Sequence, residues 1–281
     1  YISGVPILKS DDGGKTFVSI NRENVHADHH MVWVNPKKPG HLINGNDGGL
    51  NISYDDGANW IKCNPHGVSQ FYSINVDYQK PYTIYGGMQD NGVWAGPSTY
   101  KYDVTWHQEG QYPYEFLMGG DGMQTQIDSR NPSIIFTGFQ FGNYYRINRE
   151  KDTRKFISPA AKKEEKPLRF NWQTPILLSK QNQDILYLGS HLLHRSFDQG
   201  DSWTIISPDL TLGEKEGNVA FGTITTLSES PFQFGLLYVG SDDGLLHVSK
   251  DGGVNWQLIS TTLPKNRWIS RVVASQHQKE R

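Results

Sequence analysis

Apolar and polar residues alternate in short runs along the chain. Runs such as Val32-Trp33-Val34 and Ser73-Ile74-Asn75-Val76 each lead into a polar turn that carries proline. A second kind of run is apolar and ends at glycine, as in Leu42-Ile43-Asn44-Gly45 and Leu186-Tyr187-Leu188-Gly189. Alternation with a period of two, and short apolar runs bounded by Gly and Pro, are typical of β-strands. We therefore predict an all-β chain.

Four segments share the pattern S-x-D-x-G-x-x-aromatic, and they are Ser10–Phe17, Ser53–Trp60, Ser196–Trp203 and Ser249–Trp256. In such a turn the Asp carboxylate can accept hydrogen bonds from its own backbone N–H groups, and the Gly supplies a positive φ. The aromatic residue begins the next strand and can pack against a neighbour. The pattern predicts hairpin corners with structural aspartates, namely Asp12, Asp55, Asp198 and Asp251.

These patterns follow one another in a fixed order, so that each unit reads strand A, turn, strand B, turn, strand C, corner, strand D. Four antiparallel strands that recur about every 40–50 residues are typical of a β-propeller blade. We predict about six blades within one partial propeller domain, 1–281. The predicted corners lie near 10–17, 53–60, 94–98, 147–152, 196–203 and 249–256, and those near 94–98 and 147–152 lack the Ser-x-Asp pattern.

The predicted blades at the two ends of the chain are incomplete. Ile7-Leu8-Lys9 is predicted to be a strand C, and Ser270–Ala274 is predicted to begin another blade. A propeller removes its free sheet edges by completing its last blade. We therefore expect this chain to be part of a larger propeller or propeller pair, whose remaining blades come from the same protein or from a partner chain.

Charge and composition exclude several classes of function. The 281 residues include 27 Lys plus Arg and 29 Asp plus Glu, a net charge of −2, which gives no broad basic surface for nucleic acid. No apolar stretch approaches the roughly 18 residues of a membrane-spanning helix. The single cysteine, Cys63, excludes an internal disulfide and a cysteine zinc cage. We predict no cofactor.

The corner pattern resembles the Asp-box, or bacterial neuraminidase repeat, of sialidases, two-propeller xyloglucanases and ten-bladed sortilin-type domains. The segments 26–60, 70–98, 169–179 and 222–256 are similar to large secreted bacterial proteins described as sortilin-like or glycosyl-hydrolase-like. The resemblance implies a propeller that is secreted, periplasmic or on the cell surface. It carries over no catalytic position.

Strand order divides the loops between two sides of the predicted blades. In an A–B–C–D meander, the A→B and C→D turns lie on one side, and the B→C and D→A loops lie on the other. We call this second side the rim. It is predicted to carry His26 to His30, and a D→A stretch with Tyr112, Tyr114, Glu115 and Asp121. Rim loops on a rigid scaffold are the expected place for binding groups.

Two sets of rim residues are candidates for chemistry. A pair of carboxylates could serve glycoside hydrolysis, and the candidates are Asp28, Asp47, Asp90 and Asp121. Amides, histidines and aromatic rings suit sugar hydroxyls and rings, and the candidate ligand-binding residues are His26, His29, Asn46, Gln89, Asn91, Tyr112, Gln140, Trp172, His191, Asp242 and Asp243. The cluster from His26 to His30 with Asp47 or Asp121 could instead hold a divalent ion, but we predict no metal site.

From these residues we expect a secreted, periplasmic or cell-surface propeller that recognises a glycan or an extracellular protein or peptide through its rim. Two alternatives stay open. One is a glycoside hydrolase of xyloglucanase-like or sialidase-like architecture, and the other is a structural module of a surface assembly. Nucleic acid and a membrane span are not expected.

Overall fold

A computed structural model describes residues 1–63, 68–101, 103–104, 113–264 and 266–279, and it contains strands and turns but no helix within these ranges. The described residues therefore include no helix long and apolar enough to cross a membrane. The strands form one hairpin and five four-stranded sheets, and each strand pairs antiparallel with the next in the chain. This is the meander of propeller blades that the sequence pattern predicts.

We number the sheets I to VI in chain order. Sheet I is the hairpin of β1 (Leu8–Lys9) and β2 (Val18–Ser19). Sheet II contains β3 (His29–Val34), β4 (Leu42–Asn46), β5 (Gly49–Ser53) and β6 (Ile61–Cys63). Sheet III contains β7 (Phe71–Val76), β8 (Thr83–Met88), β9 (Gly92–Pro97) and β10 (Glu115–Met118).

The remaining three sheets repeat the same order. Sheet IV contains β11 (Gln126–Ile127), β12 (Ile134–Phe139), β13 (Asn143–Asn148) and β14 (Thr153–Phe156). Sheet V contains β15 (Ile176–Leu178), β16 (Leu186–Gly189), β17 (Leu193–Ser196) and β18 (Thr204–Ile205). Sheet VI contains β19 (Ile224–Glu229), β20 (Leu237–Ser241), β21 (Leu246–Ser249) and β22 (Gln257–Leu258).

The chain divides into two compact units, Tyr1–Gln70 and Phe71–Arg281. The first unit contains sheets I and II. Its core joins the hairpin to the sheet, since Ile7 and Ile20 pack with Leu42 and Trp60. Burial of these apolar side chains is what holds two such small sheets together.

The second unit contains sheets III to VI, and each sheet packs on the next through its own apolar cluster. Tyr85 and Val93 of sheet III pack with Ile135 of sheet IV. Sheet IV then packs on sheet V, and sheet V on sheet VI, through two further clusters whose members include Phe136 with Leu186 and Tyr187 with Leu237. Sequential face-to-face packing of blades is the arrangement expected of a propeller.

Two sets of hydrogen bonds hold each Ser-led corner, one to the serine hydroxyl and one to the aspartate carboxylate. The serine hydroxyl accepts a hydrogen bond from the backbone N–H of the corner glycine, at 2.8 Å in Ser53–Gly57 and at 2.7 Å in Ser196–Gly200. The same bond, at 2.8 Å, closes the corners that begin at Ser10 and Ser249. The aspartate accepts the N–H four residues on, as the pattern predicts. Hydrogen bonds from the Ser202 hydroxyl, the Ser196 hydroxyl and the Ser202 N–H lower the pKa of Asp198 to about 2.

Three of these corners also dock on the preceding sheet. The indole N–H groups of Trp60, Trp203 and Trp256 donate to the backbone oxygens of Ile20, Ile157 and Ile206. Each of these isoleucines directly follows the outer strand of the preceding sheet within the same unit. The corner glycine lies against the same isoleucine, so closely that a Cβ at position 57 would lie 2.7 Å from Ile20 Cδ1.

Two expectations about strand positions are wrong. No corner lies at 94–98, because β9 continues to Pro97 and its connection to β10 begins only after it. Ser270–Ala274 is not a β-strand. Instead, the N–H groups of Val272 and Ala274 donate to the hydroxyls of Thr226 and Ser228 on β19. These side-chain contacts replace the backbone ladder that a strand would need.

The corner geometry predicts that serine is the more deeply engaged residue of the motif. Ser53 is 1% exposed, and Ser53→Ala would leave the Gly57 N–H without its acceptor. We expect a loss of about 1–3 kcal/mol in the free energy of unfolding of this unit, measured by urea denaturation. Ser10→Ala removes the same bond at a solvent-exposed corner and should cost less. Equal losses for the two variants would contradict this assignment.

A second prediction concerns His194, which is 2% exposed on β17 with its Nε2 2.9 Å from Ser190 Oγ. Burial, with a smaller effect of His191, lowers its pKa from 6.5 to about 4. Below pH 6.5 the unfolded chain takes up a proton that the folded chain refuses, so stability falls between pH 6.5 and 4. His194→Gln should make urea midpoints less sensitive to pH over this range. The exposed His277→Gln control should leave that sensitivity unchanged, and a His194→Gln profile as steep as that of the parent would refute the prediction.

Candidate functional site

The rim of the first unit contains His26, Asp28, His29, Asn46 and Asp47. His29 is 5% exposed, and both of its ring nitrogens have partners. Its Nδ1 lies 2.8 Å from Asn44 Nδ2, and its Nε2 lies 3.0 Å from Asn21 Oδ1. Burial lowers its pKa, so the ring is neutral near pH 7. We therefore assign His29 to packing rather than to ligand binding.

The other rim residues of this unit also support the turns. Asn46 is 9% exposed, and its side chain bonds Asn51 Oδ1 and the Gly48 N–H. His26 packs on Gly48, where a Cβ would lie 2.4 Å away from that of the histidine. Asp28 is exposed, with φ 59°, and Asp47 contacts the ring of His30. No group of three metal-ligating side chains occurs among the described residues of the chain.

The rim of the second unit brings several predicted residues together. Asp121, on the loop between β10 and β11, is 6% exposed and accepts the backbone N–H of Asp90 at 2.8 Å. Its own N–H donates to Gln140 Oε1 at 3.1 Å. Asp121 therefore ties the β8–β9 turn of sheet III to the β12–β13 turn of sheet IV. Beside it, Asn91 Nδ2 donates to the backbone oxygen of Gln89.

Aromatic side chains lie next to these polar groups. The hydroxyl of Tyr72 lies 3.2 Å from Gln89 Oε1 and 3.4 Å from Asp121 Oδ2. Trp172 donates its indole N–H to the same hydroxyl at 3.2 Å, and its ring meets that of Phe141 edge-on, with the centroids 5.0 Å apart. Burial, with the negative charge of Asp121, raises the pKa of Tyr72, so the phenol keeps its proton near neutral pH.

Phe141 and Trp172 form what we call the aromatic platform. Trp172 is 36% exposed and Phe141 is 37% exposed, so both rings face solvent in part. Phe141 has φ 60°, a left-handed conformation that is unfavourable for a bulky side chain. The corresponding positive φ in the β8–β9 turn belongs to Asp90, a residue type that tolerates it. Phenylalanine at this turn position therefore costs conformational energy relative to Asn, Asp or Gly, which tolerate a positive φ.

Farther along the rim, the predicted residues connect sheets V and VI. Asp242 accepts both the N–H and the hydroxyl of Thr223, and that hydroxyl in turn accepts from Asn171 Nδ2. Asp243 accepts the N–H of Leu212 at 2.6 Å. Both aspartates are buried, so their carboxylates hold loops together rather than face a ligand.

His191 also lies within this connected part of the rim. Its Nδ1 accepts the backbone N–H of Arg169 at 3.2 Å, and burial together with the Arg169 charge lowers its pKa. The Arg169 guanidinium bonds the Gly222 carbonyl and Asp209. His191 is therefore neutral and serves as an acceptor at neutral pH.

The predicted D→A stretch around Tyr114 needs correction. Glu115 begins β10 and pairs with Arg149, in the turn between β13 and β14, so it is not on the rim. The Tyr114 ring covers Gly96 of β9. Tyr112 lies outside the described residues. Glu115 pairs with Ala95 of β9, so it lies on the outer strand of sheet III.

Sequence reasoning missed Tyr72, Phe141 and Arg169. Tyr72 lies on a strand, and its contact with Trp172 spans 100 residues of chain. Phe141 had a visible signal, because it stands before Gly142 in a turn position where Asn, Asp or Gly is usual. Arg169 had no such signal, since its partners lie in two other loops, the β16–β17 turn and the connection between β18 and β19.

No protein-family model matches this chain, and no curated protein matches it in sequence. Solved structures do match it. An ancestral GH74 enzyme gives a TM-score of 0.50 at 13% identity over 85% of this chain and 32% of that chain. Sqt1 of Saccharomyces cerevisiae gives 0.52 at 14% identity over 92% of this chain and 68% of that chain.

These neighbours are β-propeller proteins, and at such low identity the similarity shows the fold alone. The chain spans about a third of the length of the ancestral GH74 enzyme. Sheet order, packing of successive sheets and structural similarity together show that this chain has the β-propeller fold.

Proposed function

We propose that this chain is part of a secreted or cell-surface Asp-box propeller that binds a glycan through the rim of its second unit. The aromatic platform of Phe141 and Trp172 is the observation that carries the proposal. Sugar rings present apolar faces, and partly exposed, rigidly held aromatic rings are suited to stack on them. The side-chain amide of Gln89, whose oxygen lies beside the Tyr72 hydroxyl, can donate its N–H groups to sugar hydroxyls.

The platform is preorganised, which favours a binding role. The Trp172 N–H is held by the Tyr72 hydroxyl, and the Trp172 carbonyl accepts the Phe141 N–H at 3.2 Å. Tyr72 is in turn fixed beside Gln89 and Asp121. Little side-chain freedom remains to be lost when a ligand binds, and that loss is a major cost of association.

The Asp-box assignment is supported by the four Ser-led corners, whose serine and aspartate bonds repeat with the same partners. The aspartates of these corners accept bonds from their own turns and lie in C→D connections, opposite the rim. A structural role for Asp12, Asp55, Asp198 and Asp251 is therefore part of the proposal. Export to the cell exterior rests on the sortilin-like resemblance of the sequence.

A hydrolase is the weaker alternative. Asp90 and Asp121 lie side by side, but one Asp121 oxygen accepts the Asp90 N–H and the other lies beside the Tyr72 hydroxyl. A buried carboxylate committed to holding a turn is a poor candidate for proton transfer to a substrate. The platform, by contrast, needs no further chemistry to bind a sugar.

The proposal includes further blades from the same protein or a partner chain. Ile259 follows β22 as Ile206 follows β18, and its N–H bonds the Leu246 carbonyl as that of Ile206 bonds Leu193. Ile206 is 9% exposed beneath Trp256, whereas Ile259 is 39% exposed. A further Trp-bearing corner would fit against Ile259 in the same way.

The test is a glycan and peptide array probed with the 281-residue chain. We expect glycan binding that persists in high salt, because stacking and hydrogen bonds rather than surface charges would supply it. Trp172→Ala should reduce affinity at least tenfold. Phe141→Asn should also weaken binding while leaving the melting temperature unchanged or higher, since Asn tolerates the positive φ at this position.

Trp268→Ala is the matched control, because Trp268 is 54% exposed and lies outside the platform. Binding only to peptides on the array, or binding of neutral glycans that survives both platform substitutions, would refute the proposal. Release of reducing sugar from a polysaccharide panel would instead favour the hydrolase.

A further inference from the structure

A cavity of about 270 Å³ lies within the second unit, among the first strands of its sheets. Residues of β7, β11, β15 and β19 line it together with the segment 270–273. Tyr72 belongs both to this lining and to the support of the aromatic platform. The volume is just below the roughly 300–1,000 Å³ of sites for drug-sized ligands, so it suits a ligand about as large as one monosaccharide.

Two glutamine side chains that line the cavity already accept hydrogen bonds through their amide oxygens. Gln124 Oε1 accepts the N–H of Ile176, and Gln126 Oε1 accepts that of Leu178, both at 3.3 Å. With the amide oxygens turned to these partners, the two Nε2 groups have no hydrogen-bond partner among the described residues. Each Nε2 can therefore donate to a ligand.

The hydroxyls opposite are arranged in the same way. Thr226 Oγ1 accepts the N–H of Val272 at 3.0 Å, and Ser228 Oγ accepts that of Ala274 at 2.9 Å. Each hydroxyl still has its hydrogen to donate. Residues of both walls thus keep unused side-chain donors.

The charge of the residues that line the cavity indicates the class of ligand. Arg271 alone carries a charge among the described residues that line the cavity, and none of them is acidic. Arg271 lines the cavity, is exposed and forms no ion pair with any described residue. A guanidinium with several neutral donors is complementary to a carboxylate.

We propose that this cavity binds the carboxylate of an acidic sugar, a uronic acid, with Arg271 as its ion-pair partner and Gln124, Gln126, Thr226 and Ser228 as donors. This site goes beyond the proposed glycan platform and does not depend on Trp172. A free uronate and the uronate unit of a longer glycan carry the same chemistry.

Isothermal titration of the 281-residue chain with D-galacturonate tests the proposal, with D-galactose as the neutral counterpart and acetate as the bare carboxylate. We expect galacturonate to bind at least tenfold more tightly than either. Arg271→Gln should weaken galacturonate binding tenfold or more without changing the melting temperature, since Arg271 is exposed and forms no ion pair. Arg271→Lys keeps the charge and should retain part of the affinity.

Several results would overturn the proposal: no binding of galacturonate, equal binding of galactose, acetate binding as tight as that of galacturonate, or unchanged affinity in Arg271→Gln. Trp172→Ala separates this site from the platform. Galacturonate affinity should survive that substitution, and its loss would place the sugar acid on the rim instead. If Arg271→Gln leaves galacturonate affinity unchanged, the cavity proposal fails, whereas the test of the platform by neutral glycans on the array is not affected.

Discussion

The docking of a Ser-led corner on the isoleucine of the preceding sheet is the contact on which the blade arrangement depends. Serine closes the turn on the glycine N–H, glycine allows close approach to the isoleucine, and tryptophan donates its N–H to the isoleucine carbonyl. A single eight-residue motif thereby shapes its own hairpin and fixes that hairpin to its neighbour. The contact occurs once in the first unit and twice in the second.

On the rim, which lies opposite the corners, buried aspartate side chains connect the loops. Asp121, Asp242 and Asp243 each accept a backbone N–H group from another loop, so these carboxylates join rim loops to one another. Buried carboxylates with such partners are costly to remove and are already committed. The aromatic platform and the cavity donors are the groups that we propose for ligand binding, and Tyr72, which supports the platform, lies beside Asp121.

The sequence predicted the blades well because their signals are local. Alternation, Gly-ended strands and the Ser-x-Asp corners all act within a few residues, and the sheets follow them. The predicted corner at 94–98, where the Ser-x-Asp pattern is lacking, was wrong. Site residues were harder to predict. His29 and Asn46 are of residue types that often bind ligands, and only the structure shows that their side chains bond Asn21 and Asn51 within the fold. Tyr72 and Arg169 act through partners far away in sequence, which no local pattern reveals.

Hydrogen exchange of the tryptophan indole N–H groups tests the corner contact most directly. The indole N–H groups of Trp60, Trp203 and Trp256 donate to carbonyls of the preceding sheet. Docked corners predict that these protons exchange as slowly as the amides of the central strands, while the indole proton of exposed Trp268 exchanges fast. Exchange of all four at the rate of Trp268 would show that the corners are not fixed to their neighbours, and would contradict the account.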